Sequence, residues 1–236
     1  MRADYREKLG LLQKRLRPRV EAASRRLRAM DLRTAISLGF IAVGTCLLVY
    51  VSWNYASMYL EQRELARRWQ EQQQAALMHP VSDKTPAPKV SWDDGLTRLT
   101  VPKIGLDAIV VEGTNYHDLK LGPGHLKDTP APGDEGNSVI SGHRDTFFRH
   151  VHELEKGDEV LVQRAGRTYR YEVTGKKIVD PQDTWVASKT KDAELTLITC
   201  YPTYYIGPAP NRLVVFTKLI GEQPESATVK TAAAAQ

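Results

Sequence analysis

Cysteine is nearly missing from this chain of 236 residues, which has only Cys46 and Cys200. Two cysteines are too few for a disulfide-stapled miniprotein. Glycine and proline are sparse as well, at 16 and 13 residues, which excludes collagen-like and low-complexity chains. Charge of either sign vanishes between Thr34 and Leu60, a run of 27 residues of which 19 are apolar. No second run of that kind follows, so a polytopic membrane protein is excluded. No internal repeat is visible. With 42% hydrophobic and 26% charged residues, the chain is not wholly disordered.

What is present is distributed unevenly. The net charge is +5, but through Arg33 eleven basic and four acidic residues give +7, leaving −2 for everything after. The basic character therefore belongs to one end. No aromatic residues interleave Lys14, Arg15, Arg17, Arg19, Arg25, Arg26 and Arg28, and no nucleic-acid-binding pattern appears. The arm reads instead as a topology determinant that also attracts anionic headgroups.

About 20 predominantly apolar residues cross a bilayer as a helix, and Ala35 to Trp53 meets that requirement. A buried core helix rarely runs so long without a charge. A cleaved signal peptide has a shorter apolar region and a small-residue exit site. Tyr50, Trp53, Tyr55 and Tyr59 gather at the far end, as interfacial aromatics do. The expectation is a retained single-pass anchor in the plasma membrane. By the positive-inside rule, residues 1–33 then stay cytoplasmic and the chain beyond the anchor at 34–60 is exported.

Glu61 to Met78 is rich in Arg, Glu and Gln without Gly or Pro, which predicts a polar helix continuing from the anchor. Pro80, Pro86 and Pro88 follow closely, so the rest of the 61–94 connector is expected to be an extended spacer. Residues 221–236 are small and polar, and are expected to be disordered. Residues 95–220 remain, a common size for one domain. Their segments LTVPKI, AIVVEG, NSVISG, EVLVQR, TYRYEV, LTLIT and RLVVFTKLI read as strands bounded by turn residues. Ala165-Gly166 joins two of them as a hairpin. Short helical pieces are expected near Tyr116–Leu121 and Thr146–Leu154. The fold class is all-β, an antiparallel barrel or sandwich.

Cys200 is the one cysteine of the expected exported domain, so it has no partner there for an intramolecular disulfide. In AELTLITCYP, Leu195, Leu197 and Thr199 share one strand face, which puts Cys200 on the other face, at a strand end before a proline-containing loop. A buried inert cysteine and a nucleophile both fit that position. A thiol nucleophile needs a base, and His143 also stands at a strand end, directly after NSVISG. His117 and His125 fall in turn-rich sequence. His150 and His152 fit a solvated helix, and with His143 they match no zinc spacing. Arg212 opens the strand RLVVFTKLI. There it is either solvated or aimed at a developing oxyanion.

The residues resemble the sortase family. TLITC at Thr196–Cys200 is similar to that family's TLxTC motif. An arginine about a dozen residues later and the GHR element some sixty residues earlier stand in the family's order. GPGH at Gly122–His125 and NSVISGHRDTFF at Asn137–Phe148 extend the similarity from about Leu96 to Leu219, and CYPTYYIGPAPNR is most similar to the class D type. The resemblance implies an eight-stranded β-barrel with short helices and a cysteine transpeptidase. Cys200 would be the nucleophile, His143 the proton-transfer partner and Arg212 the oxyanion stabiliser. Thr199 and Thr196 are candidate substrate-binding residues. The implied partners are proteins bearing an LPXTG-like C-terminal sorting signal and a primary amine, such as a peptidoglycan precursor. No cofactor, metal or nucleic acid is expected. The Gly122–Gly136 stretch reads as a loop that borders the substrate groove.

Competing classes share parts of this pattern. A papain-like hydrolase places its cysteine before its histidine, whereas here His143 comes first. An L,D-transpeptidase carries an HGC-type motif that is missing here. A non-enzymatic surface module has no need of Cys200, His143 and Arg212 together. An exported thiol protease that does not transfer the acyl group is the remaining alternative.

Overall fold

The computed structural model describes residues 31–78 and 96–224. The basic arm through residue 30, the proline-containing spacer and the last twelve residues lie outside them. One long helix, α1 (Leu32–Met78), runs from the charge-free segment into the Arg/Glu/Gln-rich one. In its first half the apolar side chains are turned outward all round, with Phe40 75% and Leu48 70% exposed. A helix that is apolar on every face belongs in a protein core or a bilayer. None of the described residues covers this one, and it is long and apolar enough to cross a membrane. In the second half, Glu64 pairs with Arg67 and Arg68 one turn on, the spacing that supports a solvated helix.

Residues 57–72 of α1 pack on the domain that follows. Trp69 is buried, with the Arg98 guanidinium 4.8 Å from its ring centre. The Gln62 amide behaves like a piece of strand: its Nε2 donates to the carbonyls of Ile109 and Leu121, and its Oε1 accepts from the Ile109 N–H.

The domain itself is a closed eight-stranded barrel. The strands are β1 (Thr97–Val101), β2 (Leu106–Glu112), β3 (Gly124–His125), β4 (Asn137–Gly142), β5 (Glu159–Arg164), β6 (Arg167–Val179), β7 (Glu194–Tyr201) and β8 (Asn211–Pro224). Around the barrel they run β1-β2-β3-β4-β7-β8-β6-β5, and β5 closes on β1. Two neighbouring pairs, β2–β3 and β4–β7, are parallel. Strict alternation explains the inside: β5 buries Val160 and Val162, and β7 and β8 bury Leu195, Leu197, Leu213 and Val215. Two register shifts between β6 and β8 bend these long strands around the barrel.

Most expected strands are present, and the Ala165-Gly166 hairpin turn has the two positive φ angles, 52° and 71°, of a type I′ turn. The helix at Tyr116–Leu121, α2, is capped by Asn115, whose side chain accepts from the Asp118 N–H. Four details differ from the sequence reading. The barrel is not wholly antiparallel, because β2–β3 and β4–β7 run parallel. The Gly122–Gly136 stretch is not all loop, because it contributes β3 between β2 and β4. Thr146–Leu154 holds only a 3-10 turn at Val151–Glu153. β8 continues to Pro224, pairing with Arg167.

Candidate active site

Two strand pairings bring the sequence-predicted residues together. Along the antiparallel β7–β8 ladder, Thr199 opposes Leu213 and Cys200 opposes Arg212. Directly opposed residues share a face. Leu213 points into the core, so Cys200 and Arg212 stand together on the outside of the barrel. Along the parallel β4–β7 ladder, the last rung joins Gly142 to Thr199. His143 follows Gly142 at the end of β4, and Cys200 follows Thr199 in β7. The site is thus where three adjacent strands, β4, β7 and β8, end or begin side by side.

Local packing fixes this corner. The Thr199 hydroxyl, 3% exposed, donates to the Gly142 carbonyl at 2.8 Å, stapling the last rung before Cys200 and His143. Gly142 has no room for a side chain, because a Cβ there would meet the Phe148 ring at 2.6 Å. The chain after His143 folds back so that Phe148 is buried, and its N–H donates to the His143 carbonyl at 3.0 Å. That contact is the physical content of the GHRDTFF run. His143 is half-buried, and its ring meets Tyr116 of α2 edge-on at 6.2 Å. Cys200 is a free thiol with partial exposure. Arg212 turns one nitrogen toward its own loop, Nη1 donating to the carbonyls of Asn211 at 3.0 Å and Ala209 at 3.4 Å.

Thr196 is equally committed to the interior. It is 1% exposed, and its hydroxyl donates to Asn137 Oδ1 at 2.7 Å. Asn137 in turn donates to the carbonyls of Val186 and Ser188. Neither threonine hydroxyl faces solvent. Together with Asn137, which the sequence reading passed over, Thr196 ties the β6–β7 connection to the barrel. That connection covers the outer face next to the site. Val214 is fully buried there between Val179 and Val186, with Ile198 and Phe216 packed beside them. Trp185 stacks on Phe216 at 5.9 Å. This outer face of β7 and β8 is therefore closed by a second, smaller apolar cluster.

The other histidines stand apart. His125 is fully buried, with Nδ1 3.0 Å from Glu112 Oε2 and Nε2 3.1 Å from the Pro130 carbonyl. It holds β2, β3 and the following loop together. His150 pairs with Glu153 at 2.7 Å, and His152 meets the Arg149 carbonyl at 3.0 Å. His117 is exposed on α2, and His79 lies outside the described residues. Among the described residues no group of three or more His, Cys, Asp or Glu is arranged to hold a metal.

The chain is similar to proteins of one family. Residues 99–220 match the sortase domain family model. The chain is 43% identical to Sortase D of Bacillus subtilis (strain 168) over 123 residues, which are 52% of this chain and 62% of that relative. It thus spans less than two thirds of that relative's length. A solved Clostridium perfringens Sortase D5 transpeptidase is 25% identical with a TM-score of 0.53, over 69% of this chain and 98% of that one. Sortase E from Streptomyces avermitilis is 30% identical with a TM-score of 0.50, over 56% of this chain and 91% of that one. With more than half of its residues matched by the family model and a closed barrel of the same fold, the chain belongs to the sortase family.

Proposed function

We propose that the protein is a membrane-anchored cysteine transpeptidase that cleaves an LPXTG-like sorting signal after its threonine and passes the acyl group to a primary amine. The observation that carries this reading is the register that opposes Cys200 to Arg212 one residue beyond the Gly142–Thr199 rung, with His143 at the neighbouring strand end. In this scheme the Cys200 thiolate attacks the threonine carbonyl carbon, and the carbonyl oxygen takes up the negative charge. Arg212 supplies donors to that oxygen; only its Nη1 is engaged by the loop. His143, protonated, delivers its proton to the leaving amine as the C–N bond breaks. The remaining thioester is attacked by the acceptor amine, the neutral His143 takes the amine's proton, and Cys200 leaves as thiolate. Thr196 and Thr199 act by holding the walls and the last rung in place.

The helix α1 anchors this machinery in the plasma membrane with the basic arm cytoplasmic, so that the barrel meets exported proteins and cell-wall amines. Water competes with the amine at far higher concentration, so transfer requires a site that positions the acceptor. The test uses the full chain in detergent with an LPXTG-type peptide, with and without a glycine oligomer. Amide product should form only with the amine, an acyl-enzyme should be trapped on Cys200, and Cys200→Ala should abolish both. Hydrolysed peptide as the sole product across a broad panel of amines would reduce the protein to a thiol protease.

A further inference from the structure

We propose that Arg144 is a positioning residue that straps the loop between Cys200 and Arg212 to the strand end carrying His143. Its consequence for turnover rests on the transpeptidase reading; the strap itself rests on bonds within the domain. Arg144 follows His143 directly. Its guanidinium reaches residues 202–210, where Nη1 donates to the Pro202 carbonyl at 3.0 Å and Nη2 to the Gly207 carbonyl at 2.7 Å. The same group lies 5.9 Å from the centre of the Tyr205 ring, within range of a cation–π contact.

The loop has little else to hold it. Pro202, Pro208 and Pro210 have no N–H to donate. Among the described residues one backbone hydrogen bond closes within it, from the Tyr205 N–H to the Pro202 carbonyl at 3.3 Å. Its apolar side chains give no anchorage, since Tyr204 is 77% and Ile206 97% exposed. Tyr204 adds only an edge contact with the His152 ring at 6.4 Å. At the far end, Arg212 spends Nη1 on Ala209 and Asn211. Two arginines therefore take the carbonyls at the start, middle and end of the loop. Arg144 is the one rooted on the β4 side.

That root matters because the β4–β7 ladder ends at Gly142–Thr199, while β7 and β8 stay paired through Tyr201 and Asn211, so the sheet leaves only the His143 side untied. Beyond this rung, His143 belongs to one strand and Cys200 and Arg212 to two others. A misplacement of about 1 Å among reacting groups costs roughly a hundredfold in rate. Arg144 supplies the next cross-tie. A lysine offers one ammonium and cannot span both carbonyls in a planar fork while stacking on Tyr205.

Arg144→Ala and Arg144→Lys in the full chain in detergent test this. Amide hydrogen exchange at Tyr205, whose N–H donates to the Pro202 carbonyl, should quicken at least about tenfold in both variants, while residues 195–199 and 213–217 keep wild-type protection. kcat for acyl transfer should fall about tenfold to a hundredfold, with KM changing less than about threefold. If Arg144→Ala does not fold, Arg144→Lys carries both measurements. Wild-type exchange in the loop, or a loosened loop with undiminished kcat, overturns the proposal. A wild-type chain that transfers nothing sinks the transpeptidase reading instead, and the exchange data still decide the strap.

Discussion

On the outer face of β7 and β8 every second residue is presented to the same surface, so a single side chain decides what the corner can do. Arg212 faces Cys200 across the ladder and commits Nη1 to its own loop. Under the proposed mechanism the rest of the fork meets the oxyanion. Losing such a donor costs about 2.7–4 kcal/mol, roughly a hundred- to thousandfold in kcat. Arg212→Ala should show that loss with the melting transition retained, and Arg212→Lys should recover little because the planar fork is gone. Near-normal turnover in Arg212→Ala would remove the residue from the active site. The strand-end positions of Cys200, His143 and Arg212 were legible from sequence because strand alternation is a local property, whereas the roles proposed for them came from the family resemblance. The duties of Thr196 and Thr199 were not legible, since a hydroxyl's partner depends on which strand lies beside it. Asn137 and Gly142 come from a chain segment about sixty residues away.

Elements carry the stability of the barrel through joints as well as strands. Asp158 stands where the turn after Glu155 enters β5, and its Oδ2 accepts from Lys103 Nζ at 2.8 Å and from the Glu155 N–H at 2.6 Å. It thereby ties the 3-10 turn after β1 to the start of β5. Partial burial pushes its carboxyl up, but the Lys103 ammonium and the Glu155 N–H outweigh this and hold it below the usual carboxylate range. A carboxyl lowered by folding stabilises fully above its unfolded value of about 3.9 and loses that contribution as pH falls through the folded value. Asp158→Asn should therefore destabilise by about 0.5–1 kcal/mol at neutral pH, the range for a largely solvated pair. The gap between wild-type and variant melts should close as pH drops below about 4; a gap independent of pH would assign the effect to something other than the charge. The hairpin of β5 and β6 could be read from Ala165-Gly166 and alternating patterns. The two-residue β3 could not, because GH in a Gly/Pro-rich stretch has no periodicity of its own. Its place is set by pairing with Val111 and Glu112 on one side and Ser141 and Ile140 on the other.

For the whole molecule, the deciding quantity is the asymmetry of charge about one apolar helix. Through Arg33 the sequence carries +7, and the remainder carries −2. Between them the first half of α1 exposes apolar side chains on every face, a surface that a bilayer satisfies and water does not. Moving a cluster of basic residues across the membrane is disfavoured, so the arm should remain cytoplasmic and the barrel should face outward. The two cysteines make this testable without new labels. Cys46 lies within the apolar half of α1, and Cys200 is partly exposed on the barrel. A membrane-impermeant maleimide added to intact spheroplasts should modify Cys200, and Cys200→Ala should lose the label. External protease should remove the domain beyond residue 60 and spare the arm. Labelling that appears only after the membrane is permeabilised, or protection of the domain from protease, would invert the topology and remove the access to exported proteins that the proposed function requires.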